Sequence, residues 1–121
     1  MAIIGTGVDI TEVRRLRQAV ERWGKQFLER VFTGEELKNA EKHASFYQHL
    51  AGRFAAKEAV FKAMGDMKLG LKDIQVLNDK NGKPYCQLLN NKNANKGMDV
   101  LVSISHVKNY AVANAVITKK S

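Results

Sequence analysis

The spacing of the apolar residues changes halfway along the chain, and this change limits the possible folds more than any other feature. From Val13 to Phe27, apolar residues recur at steps of three and four, which is the spacing of an amphipathic helix. From residue 74 onward, short apolar segments separated by turn residues are typical of strands. A chain of 121 residues is long enough for one domain, so we predict a single α+β domain over 1–121.

Capping and stop signals divide the chain into elements. Thr11 is predicted to cap the first helix, the Thr33 to Glu36 spacing is a capping box, and Gly65 ends the longest helix. The helices are predicted after Thr11 as far as Phe27, and over 34–42 and 45–64. The strands are predicted over 2–10, 74–78, 83–89, 99–105 and 110–118, with either a loop or a short helix over 90–97.

The last predicted strand, over 110–118, is apolar on both of its faces. In an antiparallel sheet, one face of a strand normally covers the core and the other contacts water. A small single chain does not easily bury both faces, and an exposed apolar patch marks an interaction surface. We therefore expect this strand to lie at an interface between subunits of an oligomer.

Basic residues outnumber acidic ones, which gives a net charge of +8 and an isoelectric point near 9.8. This excess favours encounters with nucleic acid, acidic proteins, anionic lipid or phosphorylated cofactors, and it also keeps a protein in solution. No nucleic-acid-binding module is visible, and no apolar run reaches the ~20 residues that span a bilayer. Nucleic acid and membrane are therefore not expected as partners.

The cysteine content and the first residues bear on location. Cys86 is the only cysteine, so we expect no disulfide within the chain and a reducing compartment, with Cys86 as a small buried hydrophobe. The chain opens in apolar, strand-like sequence without a basic leader, so no secretion signal is visible. We expect a cytoplasmic protein.

Three short segments contain side chains that could carry chemistry. Asp9 ends an apolar strand, where a carboxylate either caps the following helix or binds a cation. Glu58 and Lys62 share a helix face, either as a solvated ion pair or as part of a binding site. His106 closes a strand and is either structural or functional, and the serines before it give only weak support for a nucleophile.

Elimination favours one kind of chemistry. No segment has the ligand spacing of a zinc site, and the glycines near the N-terminus are not followed by the Gly-Lys-Ser/Thr of a Walker phosphate loop. Asp9 and Glu58 remain as two hard oxygen ligands in a basic chain. Mg²⁺ typically takes one or two protein carboxylates and completes its shell with water and substrate phosphates, which is the arrangement that phosphoryl transfer uses.

Four segments carry the most distinctive residues: Gly5-Thr6-Gly7-Val8-Asp9-Ile10, Leu50-Ala51-Gly52-Arg53-Phe54-Ala55-Ala56-Lys57-Glu58-Ala59, Asn81-Gly82-Lys83-Pro84 and Ser103-Ile104-Ser105-His106. In their order and spacing they resemble the bacterial holo-acyl-carrier-protein synthases, a small class of 4′-phosphopantetheinyl transferases. The resemblance implies the fold of that family, with a mainly antiparallel sheet against a long helix. It also implies Mg²⁺-dependent transfer of phosphopantetheine from coenzyme A to a serine of apo-acyl carrier protein, release of adenosine 3′,5′-bisphosphate, a role in fatty acid biosynthesis, and a homotrimer with active sites between subunits.

The resemblance further implies roles for individual residues. Asp9 and Glu58 correspond to the magnesium ligands and, with Lys62, to the catalytic group, in which the lysine neutralises or protonates the leaving phosphate. The residues implied at the coenzyme A site are Arg53, Lys62, Gly65 and His106. The face implied for the acidic carrier protein consists of Arg14, Arg15, Arg17 and Arg22, of which we expect Arg14 to lie closest to the chemistry.

Helix geometry separates two of these residues. Arg53 and Glu58 are five residues apart, roughly 140° around an ideal helix, so they do not readily reach one ligand. An Arg53 that binds coenzyme A is therefore expected to do so in a neighbouring subunit's site. The segment over 65–70 departs from the family's glycine-rich turn and carries an acid, so the resemblance does not define the affinity for coenzyme A or its acylated forms. A non-catalytic carrier-binding protein is the alternative, and the presence of Asp9, Glu58 and Lys62 argues against it.

Overall fold

Two antiparallel sheets surround a long helix in the computed structural model, which describes residues 2–65, 69–89 and 97–120. The helices are α1 (Val13–Trp23), α2 (Lys25–Val31), α3 (Gly34–Glu41) and α4 (Phe46–Met64), with a short 3-10 turn at Leu71–Asp73. The strands are β1 (Ala2–Glu12), β2 (Ile74–Asn78), β3 (Pro84–Leu88), β4 (Met98–His106) and β5 (Tyr110–Lys119). This composition confirms the predicted α+β class.

The larger sheet has the strand order β1-β5-β4, and all of its pairings are antiparallel. Every second residue of the central strand β5 points inward and is almost fully buried, in the series Ala111, Ala113, Ala115 and Ile117. These mostly small side chains leave room for α4, which packs across this inner face through its own residues Ala56 and Val60. The second sheet is the hairpin β2-β3, which closes the core from the other side.

Two glycines allow β1 to approach α4 at backbone distance. A Cβ atom on Gly5 would overlap the carbonyl oxygen of Ala63, and one on Gly7 would overlap the carbonyl oxygen of Ala59. Helix and strand therefore meet without intervening side chains along this line. Because Asp9 follows Gly7 by two residues, it shares the inner face of β1 and is carried up to the α4 surface.

Replacing Gly7 with alanine should destabilise the protein by about 1–3 kcal/mol, because the added methyl group meets a backbone carbonyl that has no room to move. Gly34→Ala is the matched control, since no atom lies within 4 Å of a Cβ built there. Urea unfolding of both variants measures the effect. A Gly7→Ala protein as stable as the Gly34→Ala protein would contradict the close packing of β1 on α4.

A buried ion pair fixes α4 against the hairpin and α3. Lys57 Nζ lies 2.6 Å from Glu36 Oε1, and both side chains are fully buried. The ammonium also donates to the carbonyl oxygens of Leu71 and Ile74, while the Glu36 carboxylate accepts from the amide of Val76. Buried charges persist only when they are paired and hydrogen-bonded in this way, so the network sets the rotation of α4 about its axis.

Local signals gave most element boundaries correctly, with two corrections. The capping box of Thr33 and Glu36 is confirmed, as is the end of α4 at Gly65, whose φ is +70°. The single helix predicted as far as Phe27 was wrong, because Gly24 takes a φ of +55° and divides it into α1 and α2. Thr11 was also wrong as a cap, since it lies within β1.

The break at Gly24 exposes a residue that the sequence pattern assigned to the buried stripe. Trp23 is 55% exposed, whereas Leu16 of the same stripe is buried. The strands predicted at 99–105 and 110–118 are confirmed as β4 and β5, and the hairpin as β2-β3. The loop or helix predicted over 90–97 and the unusual segment over 65–70 lie mostly outside the described residues.

The outer face of the larger sheet, opposite α4, carries exposed apolar side chains. They are Val8, Ile10, Leu101, Val112 and the half-buried Val116. In the strand register Ile10 lies opposite Val112 and Leu101 opposite Val116, with the hydrogen-bonded pair of Ser103 and Asn114 between them. Among the described helices, none is both long and apolar enough to cross a membrane.

Candidate active site

Asp9 and Glu58, from different elements, share one cavity of about 530 Å³, which Glu12 at the end of β1 also lines. Asp9 comes from the inner face of β1, and Glu58 comes from α4, which the two glycines hold close to that strand. Apolar side chains of α1, α2 and α4 complete much of the wall: Leu16, Ala19, Phe27 and Phe54. The arrangement brings together the two oxygen ligands that the sequence singled out.

Asp9 is held by hydrogen bonds on both of its carboxylate oxygens. Thr11 Oγ1 donates to Oδ2 over 3.0 Å, and Lys62 Nζ donates to Oδ1 over 3.2 Å. Lys62 also donates to the carbonyl oxygen of Val8 over 2.9 Å. The ammonium of Lys62 therefore lies at the Asp9 carboxylate, and in the described part of the chain it makes no ion pair with Glu58.

The environment of Glu58 disfavours its negative charge. Burial raises the pKa of Glu58, the charge of Asp9 raises it further, and Lys62 acts in the opposite direction. Two carboxylates that repel each other across a partly buried cavity are stabilised when a cation lies between them. Asp9 and Glu58 therefore fit a hard divalent cation.

No group of three or more His, Cys, Asp or Glu side chains within the described ranges is arranged to hold a metal ion. Zinc and calcium sites usually draw three or more ligands from the protein. A pair of carboxylates instead matches Mg²⁺, which completes its shell with water and substrate phosphates. Asp9 and Glu58 form such a pair of carboxylates at their cavity.

A second cavity, of about 400 Å³, lies on the other side of α4. It contains Arg53 and His106, two of the four residues that the resemblance associates with coenzyme A. Arg53 is only 5% exposed, and its guanidinium donates to the side chain of Asn78. Gly82 and Pro84 also line this cavity, so the Asn81-Gly82-Lys83-Pro84 segment adjoins it.

The two cavities divide the predicted site residues between the two edges of the larger sheet. Asp9 lies on the edge strand β1, and His106 lies on the opposite edge strand β4, with β5 between them. Arg53 and Glu58 line different cavities, in keeping with their separation of roughly 140° around the helix. Gly65 ends α4 beyond Lys62 and lines neither cavity.

Neither Ser103 nor Ser105 forms a catalytic triad with His106. The register pairs Ser103 with Asn114 and Ser105 with Val112, both on the outer sheet face, whereas His106 pairs with Ala111 on the inner face. The Ser103 hydroxyl donates to Asn114 Oδ1 over 2.6 Å. Cys86 is no better as a nucleophile, since burial raises the pKa of its thiol to about 12.

The four arginines of α1 are all exposed but face different surroundings. Arg15 lines the carboxylate cavity, whereas Arg14 and Arg17 line a groove beside the first turn of α4. Arg17 pairs with Glu21 over 3.3 Å, and the Arg22 guanidinium lies 5.0 Å from the centre of the Trp23 ring. The structure thus places Arg15, rather than Arg14, at the candidate chemistry.

Sequence reasoning missed two residues that shape these cavities. Thr11 orients Asp9, and its position two residues along the same strand face was the available signal. His49 lines the second cavity and stacks on His43, with ring centres 3.9 Å apart. Its four-residue spacing from Arg53 on α4 would have placed both side chains on one helix face.

Known proteins match this chain over almost its whole length. The sequence model of the 4′-phosphopantetheinyl transferase superfamily matches residues 5–115. A holo-[acyl-carrier-protein] synthase from Thermodesulfovibrio yellowstonii is 45% identical over 119 residues, which cover 96% of this chain and 99% of that protein.

Solved structures agree with the sequence matches. A holo-(acyl-carrier-protein) synthase from Bacillus anthracis in complex with CoA (3′,5′-ADP) has a TM-score of 0.81 and 35% identity over 98% of both chains. The holo-[acyl-carrier-protein] synthase from Neisseria meningitidis has a TM-score of 0.87 and 30% identity over 98% of this chain and 100% of that one. The chain therefore belongs to the 4′-phosphopantetheinyl transferase superfamily and, within it, to the holo-[acyl-carrier-protein] synthase family of enzymes.

Proposed function

We propose that this enzyme transfers the 4′-phosphopantetheine group of coenzyme A to a serine of an apo-acyl carrier protein in a Mg²⁺-dependent reaction that releases adenosine 3′,5′-bisphosphate. The meeting of Asp9 and Glu58 at one cavity, with Lys62 paired to Asp9 over 3.2 Å, carries this proposal, because it combines two hard oxygen ligands with a cation. The similarity to a synthase solved with coenzyme A supports the choice of donor. The proposal includes a cytoplasmic enzyme that serves fatty acid biosynthesis.

Asp9 and Glu58 would hold the magnesium ion, with water and the pyrophosphate of coenzyme A completing its shell. When bound, Mg²⁺ neutralises charge on the phosphates and aligns them for attack. Thr11 contributes by fixing the Asp9 carboxylate through its 3.0 Å hydrogen bond. Such an outer partner keeps a ligand in the correct orientation and so raises the affinity of the site.

In the proposed transfer, a bond forms between the serine oxygen of the carrier and the phosphorus atom next to pantetheine. The bridging phosphorus–oxygen bond breaks, its electron pair leaves with adenosine 3′,5′-bisphosphate, and the serine proton is released. Lys62 stabilises or protonates the leaving phosphate, since its ammonium lies 3.2 Å from the Asp9 carboxylate and is 56% exposed.

We further propose that the enzyme is a homotrimer with each active site between two subunits. Two features support this assembly: the outer sheet face exposes several apolar side chains, and Asp9 and Glu58 lie in a different cavity from Arg53 and His106. One subunit would supply Asp9, Glu58 and Lys62, and its neighbour would supply Arg53 and His106. A neighbouring copy on the outer sheet face would cover apolar surface as well as complete the site.

The basic surface of α1 is the proposed docking site for the carrier protein, which the resemblance implies to be acidic. Arg14, Arg15, Arg17 and Arg22 are exposed and contribute to the net charge of +8. Complementary charge accelerates association and orients the two partners. The position of Arg15 at the mouth of the carboxylate cavity would guide the carrier serine toward the magnesium ligands.

Reversing the charge of Arg15 should raise the KM for the carrier protein by about tenfold or more while changing the KM for coenzyme A less, because Arg15 belongs to the proposed docking surface of the carrier. Arg14→Glu should act in the same direction with a smaller effect, since Arg14 lies farther from the carboxylates. Steady-state kinetics with each substrate varied in turn gives both constants.

The effect of Arg15→Glu should shrink as salt is raised, because exposed charges are screened over about 10 Å at 0.1 M ionic strength. Lys25→Glu is the control, since Lys25 begins α2 and lines neither cavity. Equal increases in both KM values would place Arg15 in the coenzyme A site instead. Unchanged KM values would indicate that these arginines form a solvated surface that binds neither substrate.

Release of adenosine 3′,5′-bisphosphate tests the proposed reaction. The enzyme should release it from coenzyme A in the presence of apo-carrier protein and Mg²⁺, and should stop when EDTA is added. Carrier that already bears phosphopantetheine should give no release, because its serine is blocked. A panel of apo-carriers from fatty acid and polyketide systems would then identify the preferred acceptor. Binding of the carrier without any release would favour a non-catalytic carrier-binding protein.

A further inference from the structure

Glu12 adds a third carboxylate to the cavity that Asp9 and Glu58 share. It is the last residue of β1 and the N-cap of α1, and it is exposed. The Glu12 side chain does not cap the helix, and it takes part in no hydrogen bond or ion pair with any described residue. Glu12 therefore stabilises neither element through a polar contact of its side chain.

The negative charge of Glu12 is unfavourable for the docking of an acidic carrier. Arg15 lies three residues further along the chain and lines the same cavity, where it is proposed to attract that carrier. A carboxylate beside this arginine repels the same partner and slows its association. Charge complementarity thus gives no reason for an acid at this position, whereas chemistry on the serine of the carrier does.

The proposed transfer needs a group that accepts the proton of the carrier serine, since a neutral hydroxyl is a weak nucleophile. Protein kinases meet the same need with a carboxylate beside the hydroxyl of their substrate. Histidine is the usual proton acceptor in enzymes, but all three histidines of this chain line the second cavity. The carboxylates at the first cavity are therefore the candidates.

Of these three carboxylates, that of Glu12 is the one left available. Asp9 accepts hydrogen bonds from Thr11 and Lys62, one on each of its oxygens. Asp9 and Glu58 are also the proposed ligands of Mg²⁺, and a bound cation lowers the basicity of the oxygens that hold it. Glu12 follows Asp9 by three residues of strand, about 10 Å along the backbone, which leaves space for a serine between its carboxylate and the proposed metal site.

Building on the proposed function, we infer that Glu12 is the general base of the transfer. The serine hydroxyl gives its proton to the Glu12 carboxylate while the bond between the serine oxygen and the phosphorus atom forms. The bridging phosphorus–oxygen bond breaks, and its electron pair leaves on adenosine 3′,5′-bisphosphate, beside Lys62. Because Glu12 is exposed, it passes the proton to water before the next turnover.

Single-turnover measurements separate this chemistry from docking. Enzyme loaded with coenzyme A and Mg²⁺ is mixed with rising concentrations of apo-carrier. Glu12→Gln keeps the size of the side chain but removes the proton acceptor, so the rate at saturating carrier should fall about a hundredfold or more. Glu12→Asp keeps a carboxylate and should retain more of the rate than Glu12→Gln, although it changes the shape of the side chain more. A packing role would reverse this order.

Two further measurements test the other roles that a carboxylate has at such a cavity. The dissociation constant of apo-carrier, measured by calorimetry, should be equal or lower for Glu12→Gln than for wild type, because a repulsive charge is removed. The Mg²⁺ concentration that gives half the maximal rate should stay within about twofold of wild type. Glu41→Gln is the matched control, since Glu41 is an exposed carboxylate that lines neither cavity.

The outcomes that contradict the role of Glu12 differ from those that contradict the proposed function. A loss of less than about tenfold in the saturating rate of Glu12→Gln, or a Glu12→Asp variant slower than Glu12→Gln, would overturn the role of Glu12 alone. A raised Mg²⁺ requirement would assign Glu12 to the metal site, and weaker carrier binding with an unchanged saturating rate would assign it to docking; either would also overturn its role as base. A wild-type enzyme that modifies no apo-carrier would overturn the proposed function and the general base with it.

Discussion

Replacing Asp9 or Glu58 with alanine should abolish Mg²⁺-dependent transfer of phosphopantetheine, with a loss of at least about a hundredfold in kcat/KM. Each change removes one of the two carboxylates proposed to bind the metal, and the remaining one is too few to hold it against the substrate phosphates. The fold should survive, because neither carboxylate belongs to the buried core. Rates measured over a range of Mg²⁺ concentrations, with circular dichroism of each variant, give both parts of the result.

Glu41→Ala is the control, since Glu41 is an exposed carboxylate at the end of α3 that lines neither cavity. Raised Mg²⁺ should recover part of the activity of Asp9→Asn, whose amide still offers an oxygen ligand, more than that of Asp9→Ala. Near-normal turnover by purified Asp9→Ala or Glu58→Ala would contradict the assignment of these two residues as magnesium ligands.

Introducing an aspartate at Val112 should dissociate the proposed trimer and reduce activity to a few per cent of wild type or less. Val112 lies on the outer face of the central strand β5, opposite Ile10 on β1 and Ser105 on β4. In an assembled trimer its carboxylate would be buried without a partner, which costs several kcal/mol at each subunit contact. Sedimentation velocity together with the transfer assay measures both consequences.

The same substitution at Val107 is the matched control. Val107 is an exposed valine in the turn between β4 and β5, away from the outer sheet face, so Val107→Asp should sediment as wild type does. A monomeric Val112→Asp protein with full activity would contradict the proposal that two subunits share each site. A Val112→Asp protein that remains a trimer would place the interface elsewhere.

The parts of the fold that depend on neighbouring residues could be predicted from the sequence. The capping box at Thr33 and Glu36 and the end of α4 at Gly65 rest on backbone rules that act within one helical turn. The break at Gly24 could not, because the apolar stripe continues across it and an isolated glycine is tolerated in a helix. Only the positive φ at Gly24 marks the division.

The candidate site was predictable where the family pattern covers it. Asp9, Glu58 and Lys62 were identified from the sequence, and the structure brings Asp9 and Glu58 to one cavity and pairs Lys62 with Asp9. The partner of Lys62 was not predictable, since helix spacing favoured Glu58 and the actual pair depends on how closely β1 approaches α4. The stacking of His49 on His43 likewise depends on how the chain enters α4, which spacing alone does not define.

The intact mass of an apo-acyl carrier protein after incubation with this enzyme, coenzyme A and Mg²⁺ tests the central claim most directly. The account predicts that the carrier gains the mass of one phosphopantetheine group, with one adenosine 3′,5′-bisphosphate released for each carrier modified. A carrier whose acceptor serine is replaced by alanine should gain nothing. Unchanged mass for every apo-carrier tested, with folded enzyme and excess Mg²⁺, would contradict it.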